Sequence, residues 1–237
     1  MSEQSSMSSR FLVRGIAIAT VLLPVLVWGV SVGNPLFYFF NDVPPGQTPY
    51  ILSKLCGMLA LSLFWLQCMA ALARFSPALC GFVQLTRRQH IVLGLITFLF
   101  VVTHLGLFIA ASTLRTGNLA LALLLPKFGQ GFYNAYVSLG AIAFWFLLVA
   151  IVAGWLRSRG RAGWRWVHAS VFLVFTLGFL HGISIGSETR FGLMSYVYAF
   201  IGLSVTTAVV SWIRSEARRR RVAVSVNTDS DASGSFD

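Results

Sequence analysis

The sequence holds only four histidines, His90, His104, His168 and His181, and all four fall in long apolar stretches. An ionisable group inside a bilayer is costly and is usually kept for function. Imidazole is also the commonest metal-ligating side chain. The first pair is spaced by 14 residues and the second by 13. At about 1.5 Å of rise per residue, each pair spans roughly 20 Å of helix. One intervening apolar stretch returns the chain, so the two histidine-bearing helices run in the same direction. His90 is then level with His168 near one face of the bundle, and His104 with His181 near the other. Two levels, each with an imidazole from each helix, suit two stacked haems with bis-histidine axial ligation across a bundle. A lone buried histidine is ordinarily a hydrogen-bonded core residue, but four of four in matched pairs is a different pattern. A tetrahedral zinc site is disfavoured, because the pairs lie far apart with no thiolate or carboxylate beside them.

The spacing carries one geometric difficulty. At about 100° per residue, a gap of 14 returns to within about 40° of its start, whereas a gap of 13 lands about 140° away. A straight fifth helix would aim His168 and His181 in different directions. Local tightening or bending is therefore expected there, and Gly178 and Gly182 are the residues that make deformation plausible.

These histidines need elements to hold them, and the composition says which. Of 237 residues, 57% are hydrophobic and 11% charged, against about 25% charged in a soluble domain. A water-soluble enzyme and a disordered chain are both excluded. Six stretches reach the roughly 20 apolar residues that cross a hydrocarbon core: 11–33, 50–73, 89–112, 133–156, 166–186 and 191–213. They are too long and too continuously apolar for barrel strands. The expected fold class is all-α, an integral membrane six-helix bundle over 11–213, preceded by a short N-terminus (1–10). The segment 214–237 is expected to be basic and then, from about 222, disordered. The first stretch exceeds the usual signal-peptide core and is followed by a poor cleavage site, Ser31-Val32-Gly33-Asn34-Pro35, so it reads as a membrane span.

The net charge of +11 invites a nucleic-acid reading that the placement of the charges opposes. Fourteen of the 18 Lys and Arg flank the spans on one side: Arg10 and Arg14; Arg74, Arg87 and Arg88; Arg157, Arg159, Arg161 and Arg165; Arg214 and Arg218 to Arg221. Lys54, Arg115, Lys127 and Arg190 lie at the opposite ends. Positive residues stay cytoplasmic, so both termini are expected inside and the membrane is expected to be a bacterial-type inner (plasma) membrane. The Arg219–Arg221 run reads as a topology anchor that also attracts anionic lipid. Haem propionates commonly meet basic side chains. Arg87, Arg88 and Arg165 are candidates for that role at the inner level, and Lys54, Arg115 and Arg190 at the outer, although each of the six also suits plain interfacial snorkelling.

The remaining features are quieter. The segment 41–49 is rich in turn formers. Leu119–Leu125 is expected as a short interfacial helix ended by Pro126. Cys56, Cys68 and Cys80 form no CxxC and read as small packing residues. No glycine-rich strand–turn–helix unit for a dinucleotide is present.

Two stretches carry a family resemblance. Arg87-Arg88-Gln89-His90-Ile91-Val92-Leu93-Gly94-Leu95 with Val102-Thr103-His104, and Gly163-Trp164-Arg165-Trp166-Val167-His168 with Gly178-Phe179-Leu180-His181, resemble the third and fifth helices of the ferric-reductase-like transmembrane domain. That superfamily includes ferric reductases, NADPH oxidases and the bacterial haem subunit MsrQ of the methionine sulfoxide reductase system, and the Gly33-Asn34-Pro35 turn resembles the last of these. The resemblance covers roughly 30–215. It implies two b-type haems on His90, His104, His168 and His181, passing electrons across the membrane. The flavin and nicotinamide domain of ferric reductases and NADPH oxidases is absent from this sequence, so the resemblance implies a separate donor. Some MsrQ-type sequences lack a histidine at the position of His90, and its presence here favours two haems over one.

The expected function is transmembrane electron transfer from a cytoplasmic flavoprotein or quinol to ferric iron, oxygen or a periplasmic reductase. The alternatives are a haem-containing structural subunit of a larger complex, or a histidine-based proton or ion transporter. The last would call for intramembrane carboxylates or broken helices, and the apolar stretches contain no carboxylate.

Overall fold

A computed structural model describes residues 3–74, 85–156, 163–190 and 192–233. Among them every regular element is helical: α1 (Glu3–Val32), α2 (Phe37–Phe40), α3 (Gln47–Ala73), α4 (Arg87–Thr116), α5 (Phe132–Leu156), α6 (Trp164–Ala169), α7 (Val171–Ile185), α8 (Ser187–Arg190) and α9 (Leu193–Ser233), with a 3₁₀ turn at Leu121–Leu124. Six segments are long and apolar enough to cross a membrane: Arg14–Val32, Gln47–Ala73, Arg87–Thr116, Phe132–Leu156, Trp166–Ile185 and Leu193–Arg218. The chain is a multi-pass membrane protein whose outward apolar side chains, Leu99, Val30 and Leu203 among them, suit lipid. Helices are the form that satisfies every backbone group there.

Local chemistry sets where these helices begin and end. α4 starts with a capping box: Gln89 N–H donates to Thr86 Oγ1 (3.3 Å), and Thr86 N–H donates to Gln89 Oε1 (2.9 Å). The box satisfies two of the orphan donors of the first turn. It also fixes the register of His90, whose N–H makes the α-type bond to Thr86 O. Gly117 ends α4 in the left-handed conformation (φ +70) with its N–H on Thr113 O, the usual C-terminal stop. Gly46 (φ +77) opens α3, and a Cβ there would collide with the carbonyl of Ala111 on α4. Glycine is thus required twice over at the point where the start of α3 meets the end of α4.

The core lies between α1, α3, α7 and α9. Trp28, Trp65, Met69, Phe175, Met194, Tyr198 and Ile201 pack there. Trp28 Nε1 donates to Ile51 O (2.7 Å) and Trp65 Nε1 to Ser204 Oγ (2.8 Å), so both indoles are satisfied where they are buried. α3 packs along α4, and α5 along α6 and α7, giving two antiparallel hairpins. The second helix of each hairpin carries the histidines. α4 has only Thr97 and Ala111 buried, and its extensive contact is with α3.

Three sequence expectations change. The fifth span is interrupted as expected, but at Ser170 rather than at Gly178 or Gly182. Ser170 N–H bonds back to Val167 O, three residues earlier, between α6 and α7. Each residue of a 3₁₀ turn rotates about 20° further than an α-helical one, which supplies part of the rotation that a 13-residue gap lacks. The tail expected to be disordered from about 222 has a helical backbone to Ser233, and the first helix begins at Glu3 rather than near 11. Once a helix is nucleated, propagation into flanking residues costs little. The short helix expected within Leu119–Leu125 is present as a 3₁₀ turn at Leu121–Leu124. It is tied down by Trp145 Nε1 donating to Leu124 O (3.0 Å). Cys56 and Cys68 are free thiols within α3, and Cys80 lies outside the described residues.

Candidate cofactor site

The structure brings the four histidines together in two pairs. The rings of His90 and His168 have centroids 6.2 Å apart at 80° between planes. Those of His104 and His181 are also 6.2 Å apart, at 76°. Two metal–nitrogen bonds of about 2 Å plus the inner half of each ring would set the centroids roughly 6 Å apart. Both pairs therefore stand at the separation that admits one metal between them. Direct stacking of the same rings does not require that match at two levels.

The ring nitrogens settle which atom is offered. His181 Nδ1 donates to Tyr136 O on α5 (2.8 Å), and His168 Nδ1 to Ala150 O on α5 (3.1 Å). His104 Nδ1 donates to Ser53 O on α3 (2.8 Å). A carbonyl only accepts, so Nδ1 carries the hydrogen in these three rings, and Nε2 presents the lone pair. A backbone carbonyl behind Nδ1 is the arrangement that orients a metal-bound histidine and raises its basicity. Ser53 holds His104 a second way: its hydroxyl donates to His104 O (2.9 Å) and lies 3.0 Å from Nδ1.

The outer pair opens onto an apolar cleft between the two hairpins. Its walls include Gly57, Phe64, Phe108, Gly140, Phe144 and Gly178. Phe108 stacks on His104 at 6.5 Å and 18°. A cleft walled by aromatic rings and glycines, with two imidazoles and few other polar groups inside, suits a flat, largely apolar ligand. At the inner pair, Trp164 lies 6.2 Å from the His168 ring. Among the described residues no three His, Cys, Asp or Glu side chains gather into one metal-binding group. The donor set is two separate imidazole pairs.

The basic residues divide. Lys54 lines the cleft, but its ammonium is engaged with Glu188 Oε1 (2.8 Å) and Ser187 Oγ (2.7 Å) and lies over the Tyr50 ring at 4.8 Å. Arg115 sits at the outer rim, bonded to Gln47 Oε1 (3.0 Å) and 4.6 Å from the same Tyr50 ring. Arg87 and Arg88 are exposed in the first turn of α4, at the level of the inner pair. The side chains of Arg165 and Arg190 lie outside the described residues, as do Arg157, Arg159 and Arg161.

Glu188 was not among the expected site residues, yet it lines the cleft beside Tyr198 and Thr189. Burial pushes its carboxyl up, but hydrogen bonds from Lys54 and Ser187 and the charge of Lys54 outweigh this and hold it below the ordinary glutamate value. The signal was its place in Ser187-Glu188-Thr189, only two residues after the fifth span ends. Three glycines were also missed: Gly57, Gly140 and Gly154 each face a histidine ring.

The chain matches no protein-family model, no curated protein and no solved structure.

Proposed function

We propose that this membrane protein binds two b-type haems, one between His90 and His168 and one between His104 and His181, and carries electrons across the bilayer. The observation that supports this reading best is the repeated pair geometry: imidazoles 6.2 Å apart at two levels, with Nδ1 turned to a backbone carbonyl wherever its partner is identified. When bound, haem supplies one-electron iron chemistry whose potential the axial ligands and surroundings tune.

The chain's own residues have plain roles. The four histidines would hold the iron, with His104, His168 and His181 offering Nε2. Ser53, Tyr136 and Ala150 fix the tautomer of three of them through main-chain oxygens. Phe64, Phe108 and Phe144 keep the outer cleft apolar and exclude water. Arg115 and Arg190 at the outer end, and Arg87, Arg88 and Arg165 at the inner, offer cations to the propionates, whereas Lys54 is paired with Glu188. The charge bias of the loops supports both termini lying on the cytoplasmic side, of a membrane read here as a bacterial-type inner membrane. Electrons then enter from a cytoplasmic flavoprotein or quinol at the His90/His168 level. They leave from the His104/His181 level to ferric iron, oxygen or a periplasmic reductase such as a methionine sulfoxide reductase. The resemblance to the ferric-reductase-like transmembrane domain supports the same direction.

Reduction by an added flavin reductase tests the wire. Haem in the wild-type protein should be reduced, and His168→Ala should abolish that reduction while the outer pair keeps its spectrum. Equal reduction in both proteins would contradict the route.

A further inference from the structure

Each histidine whose Nδ1 acceptor is identified is seated by one repeated device. The acceptor carbonyl belongs to residue i of the neighbouring helix, and the residue at i+4 is glycine: Ser53 and Gly57 for His104, Tyr136 and Gly140 for His181, Ala150 and Gly154 for His168. The missing side chain lets the imidazole lie on the helix backbone, where its Nδ1 reaches a carbonyl that already accepts the glycine's N–H.

The device is not equally tight at the two levels. A Cβ on Gly57 would stand 2.9 Å from His104 Nδ1, and one on Gly140 would stand 2.8 Å from His181 Nδ1. Neither distance is tolerated without displacing the ring. A Cβ on Gly154 would stand 3.4 Å from His168 Nδ1, an ordinary contact. The outer pair thus sits against two glycines that admit nothing larger, and His168 of the inner pair against one that admits a methyl group.

We infer that Gly57 and Gly140 are positioning residues that seat the outer histidines with a fixed tautomer and ring angle, and that the inner pair is seated more loosely at His168, so the two haems are unequally held. This rests on the haem reading above. Gly57, Gly140 and Gly154 touch no reacting atom. They act through the imidazoles, and a second-sphere change of that kind costs ~10–100-fold in metal affinity.

The test compares single substitutions in the purified full chain, in lipid nanodiscs. Low-spin haem signals are read by electron paramagnetic resonance, and haem transfer to excess apomyoglobin by absorbance. His90→Ala identifies the outer haem's signal and transfer phase. Gly140→Ala should shift or remove the outer low-spin signal and speed outer haem transfer by ~10–100-fold. Gly154→Ala should leave both signals near wild type, as should Gly106→Ala, whose Cβ meets nothing within 4 Å. An unchanged outer signal in Gly140→Ala, or equal damage in Gly154→Ala, overturns the inference. Should Gly140→Ala fail to accumulate, wild type alone decides: outer haem transferring more slowly than inner supports unequal seating, and one common rate overturns it. Haem-free wild type from haem-replete cells would instead defeat the reading beneath it.

Discussion

The half of the molecule built from α1, α3 and α9 and the half built around the α4–α7 cleft use their apolar residues differently. In the first, Trp65 is fully buried, packed near the Phe200 ring at 5.6 Å and hydrogen-bonded to Ser204. Met194 and Ile201 are sealed beside it. In the second, α4 on one side and α6 and α7 on the other bring imidazoles to 6.2 Å of one another without α4 packing along the length of α7, and glycines replace side chains along the cleft. Close packing excludes everything larger than a small void. The bundle packs tightly on one side and keeps a walled cleft with converging imidazoles on the other. The compact half serves as scaffold, and α3 belongs to both halves, carrying Trp65 on one face and Ser53 and Gly57 on another.

That contrast yields graded expectations. Removing Trp65 should do the greatest harm: Trp65→Ala should cost about 3–5 kcal/mol of stability, seen as a large fall in the denaturation midpoint with or without haem. His181→Ala should act on the other half only. Haem content by pyridine haemochrome should fall from two per chain to one, while the haem-free protein should unfold close to wild type. A variant that loses both haems, or unfolds as Trp65→Ala does, would blur the division between scaffold and site.

A smaller effect is expected at the outer end of the cleft. Glu188 is held below its ordinary value by Lys54 and Ser187, so its contribution is present above the unfolded-state value and is lost as pH falls through the folded one. Glu188→Gln should cost about 1–2 kcal/mol at neutral pH, and the difference from wild type should shrink in acid. A gap that widens in acid would reverse the sign. Smallest of all, Gln67 Nε2 donates to Thr97 Oγ1 across the α3–α4 contact at 2.7 Å. Interhelical hydrogen bonds in membranes average ~0.6 kcal/mol, so Gln67→Leu should lower the denaturation midpoint only slightly and leave the haem spectra unshifted.

The six spans and the four histidines were legible because both rest on long-range regularities: 20-residue apolar runs, and matched depths on co-directional helices. The 13-residue gap announced an interruption in the fifth span but not its place. Gly178 and Gly182 have the permissive backbone, yet Ser170 makes the turn, because the three-residue return bond to Val167 forms there. The glycine seats were legible in part. Gly140 and Gly154 are 14 residues apart, like His90 and His104, but the meaning of that spacing depends on a helix–helix register that no single helix encodes. From its place at a span's end, Lys54 suits either an anionic ligand or interfacial snorkelling. That it faces Glu188 depends on α3 lying beside α8, a tertiary fact.

The claim on which these contrasts depend is that imidazole pairs grip iron porphyrin at two levels. The most direct measurement is the absorbance of the purified wild-type protein from haem-replete cells, oxidised and then reduced with dithionite. Two b-type haems per chain, both low-spin and bis-imidazole, with one lost in His181→Ala and the other in His168→Ala, is the predicted result. A colourless protein, or haem that survives both substitutions unchanged, would contradict it.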